Sequence, residues 1–281
     1  MADKKNTYEQ YSAKISLYKN KNTATFIPIA YMVFGVFNSQ NIFVRNIPGS
    51  TIEEKASNLF KEVYSYDDLK TNLYRALVSE HNVNVLLVGP PATSKTLFIR
   101  CIQDNVKNCV PIDASNASGA GIIDKLYKNK NAKYILFDEI DKLKKNDQSN
   151  LLGLLESGEV NVTFKSQKIR FKMNNPIVFG TSNSKERLSK PLLSRFQTYY
   201  LPEYTDEEFM LVSENLLRFK FNFPSSISNM IAEKLLLNNE KDIRKVLQIA
   251  KLIRPKDSEV DVMSIIVTFL KYQGTEETEF N

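Results

Sequence analysis

The sequence predicts an α/β fold, a parallel sheet flanked by helices, followed by an all-helical domain. Between residues 63 and 203 short apolar runs alternate with helical patterns, and this alternation favours parallel strands with helices on both faces. The runs that indicate buried strands are Val85–Val88, Val110–Ile112, Tyr134–Phe137 and Ile177–Phe179. From residue 204 the apolar spacing is helical throughout.

Helix starts are marked by two capping boxes, in which a threonine and a glutamate three residues later satisfy each other's backbone groups. Thr51 with Glu54 begins a helix in the N-terminal part, and Thr205 with Glu208 begins the helical region. Apolar residues at helical spacing predict a further helix from Ile243 to Ile253. We divide the chain into an N-terminal unit of unassigned role (1–62), an α/β domain (63–203), a helical lid (204–273) and a flexible tail (274–281).

Composition limits the classes of function. The 281 residues carry a net charge of +6, with 25% charged and 42% hydrophobic residues, as in soluble globular proteins. The apolar stretch Phe26–Phe37 is too short to span a bilayer, and no secretory signal is recognisable, so we expect a cytoplasmic protein without a membrane partner. A single histidine, His81, argues against a His-rich metal centre. Cys101 and Cys109 are expected to be free thiols.

The segment directly after the first strand has the composition of a phosphate-binding loop. It reads Gly89-Pro90-Pro91-Ala92-Thr93-Ser94-Lys95-Thr96 and continues into a helix at Leu97. In such a loop the backbone N–H groups surround the phosphates of ATP, the lysine contacts the β- and γ-phosphates, and the hydroxyl of Thr96 reaches Mg²⁺. Ser94 stands where a glycine usually precedes the lysine, which costs free energy if the backbone there needs a positive φ. We expect this departure to affect turnover slightly and binding not at all.

An acidic pair, Asp138-Glu139, follows the apolar strand Tyr134–Phe137. Ligands of open α/β sheets bind at the carboxyl ends of the strands, so this pair should lie beside the phosphate loop. Asp138 could then hold Mg²⁺, usually through water, and Glu139 could act as general base on the attacking water.

These two motifs together resemble those of the AAA+ ATPases, and within them the Holliday-junction branch-migration helicase (RuvB-like) group, particularly stand-alone archaeal-type members. The resemblance extends from about Lys61 to Tyr272. It implies a five-stranded parallel sheet, ATP and Mg²⁺ as cofactors, and assembly into a ring, expected to be a hexamer.

The resemblance also assigns residues outside the two motifs. Asn183, after Gly180-Thr181-Ser182, resembles the sensor 1 residue that orients the attacking water. Arg195, in Leu192–Phe196, resembles the arginine finger that reaches the γ-phosphate on a neighbouring subunit. Arg244 resembles the sensor 2 residue of the lid, acting either in cis or in trans. Tyr64 lies in a segment, Glu62–Tyr66, that resembles the adenine-pocket segment. The implied catalytic set is Lys95, Glu139, Asn183, Arg195 and Arg244.

Alternating residues at 159–173 predict a hairpin. Val160, Val162 and Phe164 alternate with polar residues, and Ile169, Phe171 and Met173 oppose a face that carries Lys168, Arg170 and Lys172. This hairpin resembles the pre-sensor 1 hairpin that some AAA+ groups project into a central pore. Lys165, Lys168 and Arg170 are therefore candidate DNA contacts, although a charged strand face can equally be a merely solvated one.

Three functions remain open from the sequence. A DNA motor of the helicase, branch-migration or translocase type is favoured by the basic hairpin and the resemblance. A protein-remodelling ATPase of the MoxR type, with a protein client, carries the same hairpin. A clamp-loader-like switch would use ATP binding without processive movement.

Overall fold

The computed structural model describes residues 50–164 and 167–272. Its strands are β1 (Val85–Val88), β2 (Cys109–Asp113), β3 (Tyr134–Asp138), β4 (Glu159–Phe164), β5 (Gln167–Lys172), β6 (Ile177–Ser182) and β7 (Gln197–Tyr200). The α-helices are α1 (Ile52–Leu59), α2 (Asp67–Leu77), α3 (Lys95–Asn105), α4 (Gly119–Lys128), α5 (Lys145–Asn150), α6 (Leu152–Ser157), α7 (Lys190–Leu193), α8 (Asp206–Phe221), α9 (Ser225–Leu237), α10 (Ile243–Ala250) and α11 (Glu259–Tyr272).

Five of these strands form one parallel sheet in the order β2-β3-β6-β1-β7, which confirms the predicted fold class. The central strands β1 and β6 are buried along their whole length, as their apolar sequences predict. The edge strand β2 contains Pro111, and an edge tolerates proline because one side of the strand needs no hydrogen bonds. The other edge, β7, is largely exposed, so no apolar run marks it in the sequence.

Helices cover the sheet on both faces and enclose two apolar clusters. One cluster contains Leu87, Phe98 and Leu136, and it includes Ala56 and Phe60 from α1 and the turn after it. The domain boundary that we placed at residue 62 from the sequence therefore assigns α1 to a different unit from the core into which it packs. The second cluster lies on the other face, under α4 and α6. The apolar stretch at 26–37 and the tail at 274–281 lie outside the described residues.

The hairpin predicted at 159–173 is observed as the antiparallel pair β4 and β5, which forms a separate two-stranded sheet. It begins where α6 ends at Gly158, whose φ of 74° is readily reached by glycine. Val160, on β4, and Met173, just after β5, are fully buried against the second cluster and anchor the hairpin.

The four helices α8–α11 form the lid around a third apolar cluster. The capping boxes at Thr51 and Thr205 are both present, as predicted. Residues 201–205 connect the sheet to the lid, and Tyr204 in this connection is 2% exposed and belongs to the lid cluster. Within the part of the chain that the structure describes, none of the helices has the length and apolar character needed to cross a bilayer.

Candidate nucleotide-binding site

The segment 89–96, here called the P-loop, joins the carboxyl end of β1 to the start of α3. It passes very close to the connection to the lid: a Cβ added at Gly89 would lie 2.1 Å from the carbonyl oxygen of Leu201. Only glycine fits there without moving the backbone. Ala92 and Ser94 both have positive φ, 68° and 60°, which gives the loop its tight curvature before the helix begins.

Ser94 occupies a backbone conformation that favours glycine. A left-handed conformation costs a non-glycine residue on the order of 1–3 kcal/mol unless other interactions hold it. The Oγ atom of Ser94 lies 2.6 Å from the hydroxyl oxygen of Tyr204, so the two side chains share a hydrogen bond. At this position serine is less favourable than glycine in backbone conformation, but its side chain makes a contact that glycine cannot make.

Lys95 is a buried cation whose hydrogen-bond acceptors are all uncharged. Its side chain is directed back onto the P-loop, where Nζ donates to the carbonyl oxygens of Gly89 at 2.7 Å and Pro90 at 2.5 Å. The residue is 6% exposed. Desolvation, and next the charge of Arg244, lower the pKa of Lys95 to about 8. A positive group held in this way would gain most from anionic oxygens, so the position fits a polyphosphate.

Asp138 and Thr96 supply a pair of oxygen atoms beside the P-loop. Asp138 Oδ1 accepts hydrogen bonds from the hydroxyl of Thr96 at 3.1 Å and from the hydroxyl of Thr181 at 2.5 Å. Mg²⁺ prefers such hard oxygen ligands and usually takes only one or two from the protein, with phosphates and waters completing its shell. The two residues therefore fit a Mg²⁺ ion bound together with a nucleotide.

Glu139 and Asn183 meet at the same edge of the sheet. Nδ2 of Asn183 donates to Oε1 of Glu139 at 3.3 Å, and the backbone N–H of Glu139 donates to the hydroxyl of Thr181 at 2.9 Å. The backbone N–H of Asn183 donates to Oδ1 of Asp141 at 3.2 Å. The other oxygen of Asp141, Oδ2, is buried and has no hydrogen-bond partner among the described residues. The side-chain amide of Asn183 thus holds Glu139 next to Asp138. The unpartnered Oδ2 of Asp141 leaves one further hydrogen-bond acceptor nearby.

Arg195 lies in a different setting. Its guanidinium forms an ion pair with Glu156 at 2.7 Å and donates a hydrogen bond to the carbonyl oxygen of Pro191 at 2.8 Å. Its Nε atom is buried and has no partner within the described part of the chain. No described hydrogen bond or ion pair joins Arg195 to the P-loop or to Asp138 and Glu139 of its own chain.

Arg244 and Tyr64 connect the lid to the site. Arg244 is exposed at the start of α10, where Asp242 caps the helix, and its charge is close enough to Lys95 to lower the pKa of that amine. The hydroxyl of Tyr64 donates to the backbone carbonyl of Asn215 on α8 at 3.3 Å. Arg244 therefore acts on Lys95 of the same chain through its charge, and Tyr64 contacts the lid directly.

Two hydroxyl groups were not singled out from the sequence. Thr181 bridges Asp138 and Glu139, and its only signal is its place two residues before Asn183. Tyr204 contacts the P-loop from 110 positions further along the chain, and no local pattern indicates that. Of the candidate DNA contacts, Arg170 is exposed with its guanidinium 4.0 Å from Glu159. Lys168 is described only by its strand position opposite Thr163, and Lys165 lies outside the described residues.

Residues 85–204 match the family described as "ATPase family associated with various cellular activities (AAA)". The matched segment contains the P-loop, Asp138, Glu139 and Asn183, so this part of the chain is similar to an AAA ATPase domain. Its five-stranded parallel sheet followed by a helical lid is similar in architecture to the RuvB-like AAA+ fold.

The structural likeness is to RuvB of Thermotoga maritima. One variant of that protein superposes with a TM-score of 0.58 at 18% identity, covering 76% of this chain and 72% of that one. A second variant gives a TM-score of 0.53 at 19% identity, covering 74% of this chain and 69% of that one. At this level of identity the likeness concerns the fold alone.

The relatives matched by sequence are Lon proteases. The Lon protease of Mycoplasma mobile is 29% identical over 195 residues, which is 61% of this chain and 23% of that protein. The Lon protease of Desulforamulus reducens is 26% identical over 187 residues, or 58% of this chain and 22% of that protein. The chain thus spans less than a quarter of the length of these curated relatives.

Proposed function

We propose that this chain hydrolyses ATP to ADP and phosphate at the edge of the sheet where the P-loop, Asp138, Glu139 and Asn183 converge. The observation that carries the proposal is the placement of a buried lysine with uncharged acceptors beside a Thr96–Asp138 oxygen pair and an amide-held glutamate. Phosphoryl transfer requires groups that bind phosphate, groups that bind Mg²⁺ and a base for the attacking water, and residues suited to all three lie within one small region.

Each residue of the site then has a role in the hydrolysis of ATP. The P-loop amides and Lys95 would bind the phosphates, and Thr96 and Asp138 would hold Mg²⁺, which when bound would neutralise negative charge on the phosphates. Glu139 accepts a proton from the attacking water as the water oxygen bonds to the γ-phosphorus and the bond to the oxygen of ADP breaks. Asn183 orients the carboxylate and the water, and Arg244 adds positive charge from the lid of the same chain.

Arg195 is proposed to act on a neighbouring subunit in a ring, which we expect to be a hexamer. Within its own chain the guanidinium pairs with Glu156, and no described hydrogen bond or ion pair joins it to the groups that would bind the nucleotide. The pair is only partly exposed at Arg195, and its Nε is left without an acceptor, so a phosphate offered by a second subunit could compete for the group.

Mixing experiments should separate action in trans from a structural role. We expect Arg195→Ala and Lys95→Ala proteins each to lack ATPase activity. A mixture should recover part of it, because Lys95→Ala subunits supply Arg195 to intact sites on Arg195→Ala neighbours. Steady-state phosphate release measures the recovery, at mixing ratios from 1:9 to 9:1.

The matched control is a mixture of Lys95→Ala with Glu139→Gln subunits. Both changes disable the site of the subunit that carries them, so no arrangement in a ring yields an intact site. Recovery in this control, or no recovery in the first mixture despite co-assembly seen by light scattering, would contradict the role of Arg195 in trans.

We further propose that ATP turnover drives movement on DNA. Support comes from the hairpin, which presents Arg170 on an exposed face, from the net charge of +6, and from the fold shared with RuvB. In a ring, copies of Lys165, Lys168 and Arg170 would surround a pore, and a basic pore attracts phosphate backbones. Glu159 on β4 lies 4.0 Å from Arg170 and 3.8 Å from Lys172, so part of the charge is neutralised within the hairpin.

The DNA proposal predicts salt-sensitive stimulation of ATPase activity. Duplex, single-stranded or junction DNA should raise the rate several-fold at about 50 mM salt, and the effect should largely disappear near 200 mM because phosphate contacts release counterions. Lys165→Ala/Lys168→Ala/Arg170→Ala should lose the stimulation while retaining basal turnover. Lys251→Ala/Lys256→Ala, two exposed lysines of the lid, serves as the control.

The second candidate is remodelling of protein clients. The observation that favours it is the sequence match to Lon proteases, whose name states action on proteins. ATPase activity that is unaffected by every DNA but stimulated by an unfolded protein such as casein would support this candidate. Slow turnover that responds to neither would instead favour a clamp-loader-like switch.

A further inference from the structure

The P-loop, the lid connection and the segment before α2 meet at one small polar contact. Ser94 Oγ and the hydroxyl of Tyr204 are 2.6 Å apart. The ring of Tyr204 packs against that of Tyr66, with the centroids 6.0 Å apart, and Tyr66 in turn contacts Phe98 of α3 at 6.2 Å. Tyr204 is 2% exposed, so its hydroxyl exchanges little with water.

Each partner in this contact belongs to a different structural unit. Ser94 is the last residue before α3, and Tyr204 is part of the apolar cluster of the lid. The backbone carbonyl of Tyr204 accepts a hydrogen bond from Lys241 at 3.2 Å, and Lys241 also pairs with Asp206 at 2.6 Å. Tyr204 is therefore fixed to the lid by its backbone and its ring, and to the P-loop by its hydroxyl.

We propose that Tyr204 is a positioning residue that ties the P-loop to the lid through Ser94 and slows the release of nucleotide. The inference rests on the proposed nucleotide site. Lys95 and Arg244 would contact a bound nucleotide from the P-loop and from the lid, so release requires the two to separate. Separation must break the Ser94–Tyr204 hydrogen bond, which a glycine at position 94 could not form.

The left-handed backbone of Ser94 gives the contact a second consequence. Serine at φ 60° is strained, and the bond to Tyr204 compensates for part of that strain by holding the residue in place. Loss of the hydroxyl of Tyr204 should therefore loosen the P-loop turn as well as the lid. Both effects raise the rate of nucleotide dissociation.

A double-mutant cycle on nucleotide release tests the tie. We expect Tyr204→Phe and Ser94→Ala each to speed dissociation of a fluorescent N-methylanthraniloyl-ADP by about 3- to 10-fold, the range for one buried hydrogen bond. The double variant should be no faster than Tyr204→Phe alone, because that change already removes the bond to Ser94. In steady-state assays of Tyr204→Phe, KM for ATP should rise by a similar factor with kcat little reduced.

Two further variants make the cycle decisive. Tyr134→Phe removes another tyrosine hydroxyl at 2% exposure, bonded to the carbonyl of Leu77, and should leave dissociation unchanged. Ser94→Gly removes the bond and the strain together, so its difference from Ser94→Ala isolates the backbone effect. Additive effects of Tyr204→Phe and Ser94→Ala, or unchanged release in both, would overturn the tie. Failure of the unmodified protein to bind the probe would overturn the nucleotide site itself, and the tie with it.

Discussion

Lys95→Ala should reduce ATP affinity by at least about 100-fold, since charge-assisted hydrogen bonds to two phosphates are each worth about 1.5–3 kcal/mol. The burial of this lysine among neutral acceptors implies that it contributes little to folding in its charged form. The loss should therefore appear in binding and hydrolysis rather than in unfolding. Isothermal titration with ATP and Mg²⁺ measures the affinity, and thermal unfolding checks the fold.

A matched control exists in Lys70, which is also 6% exposed but pairs with Asp67 on α2. Lys70→Met should bind ATP normally, even if it costs some stability. Near wild-type affinity in Lys95→Ala would contradict the assignment of the P-loop.

The lowered pKa of Lys95 provides a companion readout in the unmodified protein and in Lys70→Met. Bound phosphates should raise the pKa of Lys95 well above its value of about 8 in the free protein. At a pH between these two pKa values, the complex therefore carries more protons than the free protein. Above pH 8, binding should then take up a fraction of a proton, and affinity should weaken as pH rises further. Titrations in two buffers of different ionisation enthalpy measure the uptake. No uptake would mean that burial does not perturb this amine.

Local and buried features of the fold follow from the sequence. The central strands are continuous apolar runs because both of their faces are covered, and the capping boxes at Thr51 and Thr205 need only neighbouring residues. The edge strand β7 escapes detection since its residues face solvent and form no apolar run. The packing of α1 on the sheet likewise depends on distant partners, and a composition-based boundary misplaces such a helix relative to the core.

The residues of the candidate site likewise divide into those that the sequence indicates and those that depend on the fold. The P-loop and the acidic pair are visible because phosphate and Mg²⁺ binding demand particular residue types close together in sequence. Asn183 and Glu139 come together because β3 and β6 are adjacent parallel strands and each residue directly follows the carboxyl end of its strand. The partner of Ser94 could not be predicted, because the contact with Tyr204 depends on how the lid is placed over the sheet. The sequence indicates only that position 94 departs from glycine.

Glu139→Gln should retain ATP binding but slow hydrolysis by about 100- to 10,000-fold, the contribution of a general base. The change keeps the size of the side chain and a carbonyl oxygen that can still accept from Asn183 Nδ2, so the phosphate contacts of Lys95 and Thr96 are preserved. An amide cannot accept the proton of the attacking water at neutral pH. Single-turnover assays with radiolabelled ATP should therefore show bound, uncleaved nucleotide.

The control is Asp113→Asn, which alters a carboxylate at the end of the adjacent strand β2, directly opposite Asp138 in the register. Asp113 is exposed and bonds to Ser115 and Asn116, so it is satisfied locally rather than aimed at the site. Its variant should hydrolyse ATP within about twofold of the unmodified rate, as expected for a surface change. Normal turnover in Glu139→Gln would require a different base, and Asp141, whose buried Oδ2 lacks a described partner, would be the next carboxylate to change.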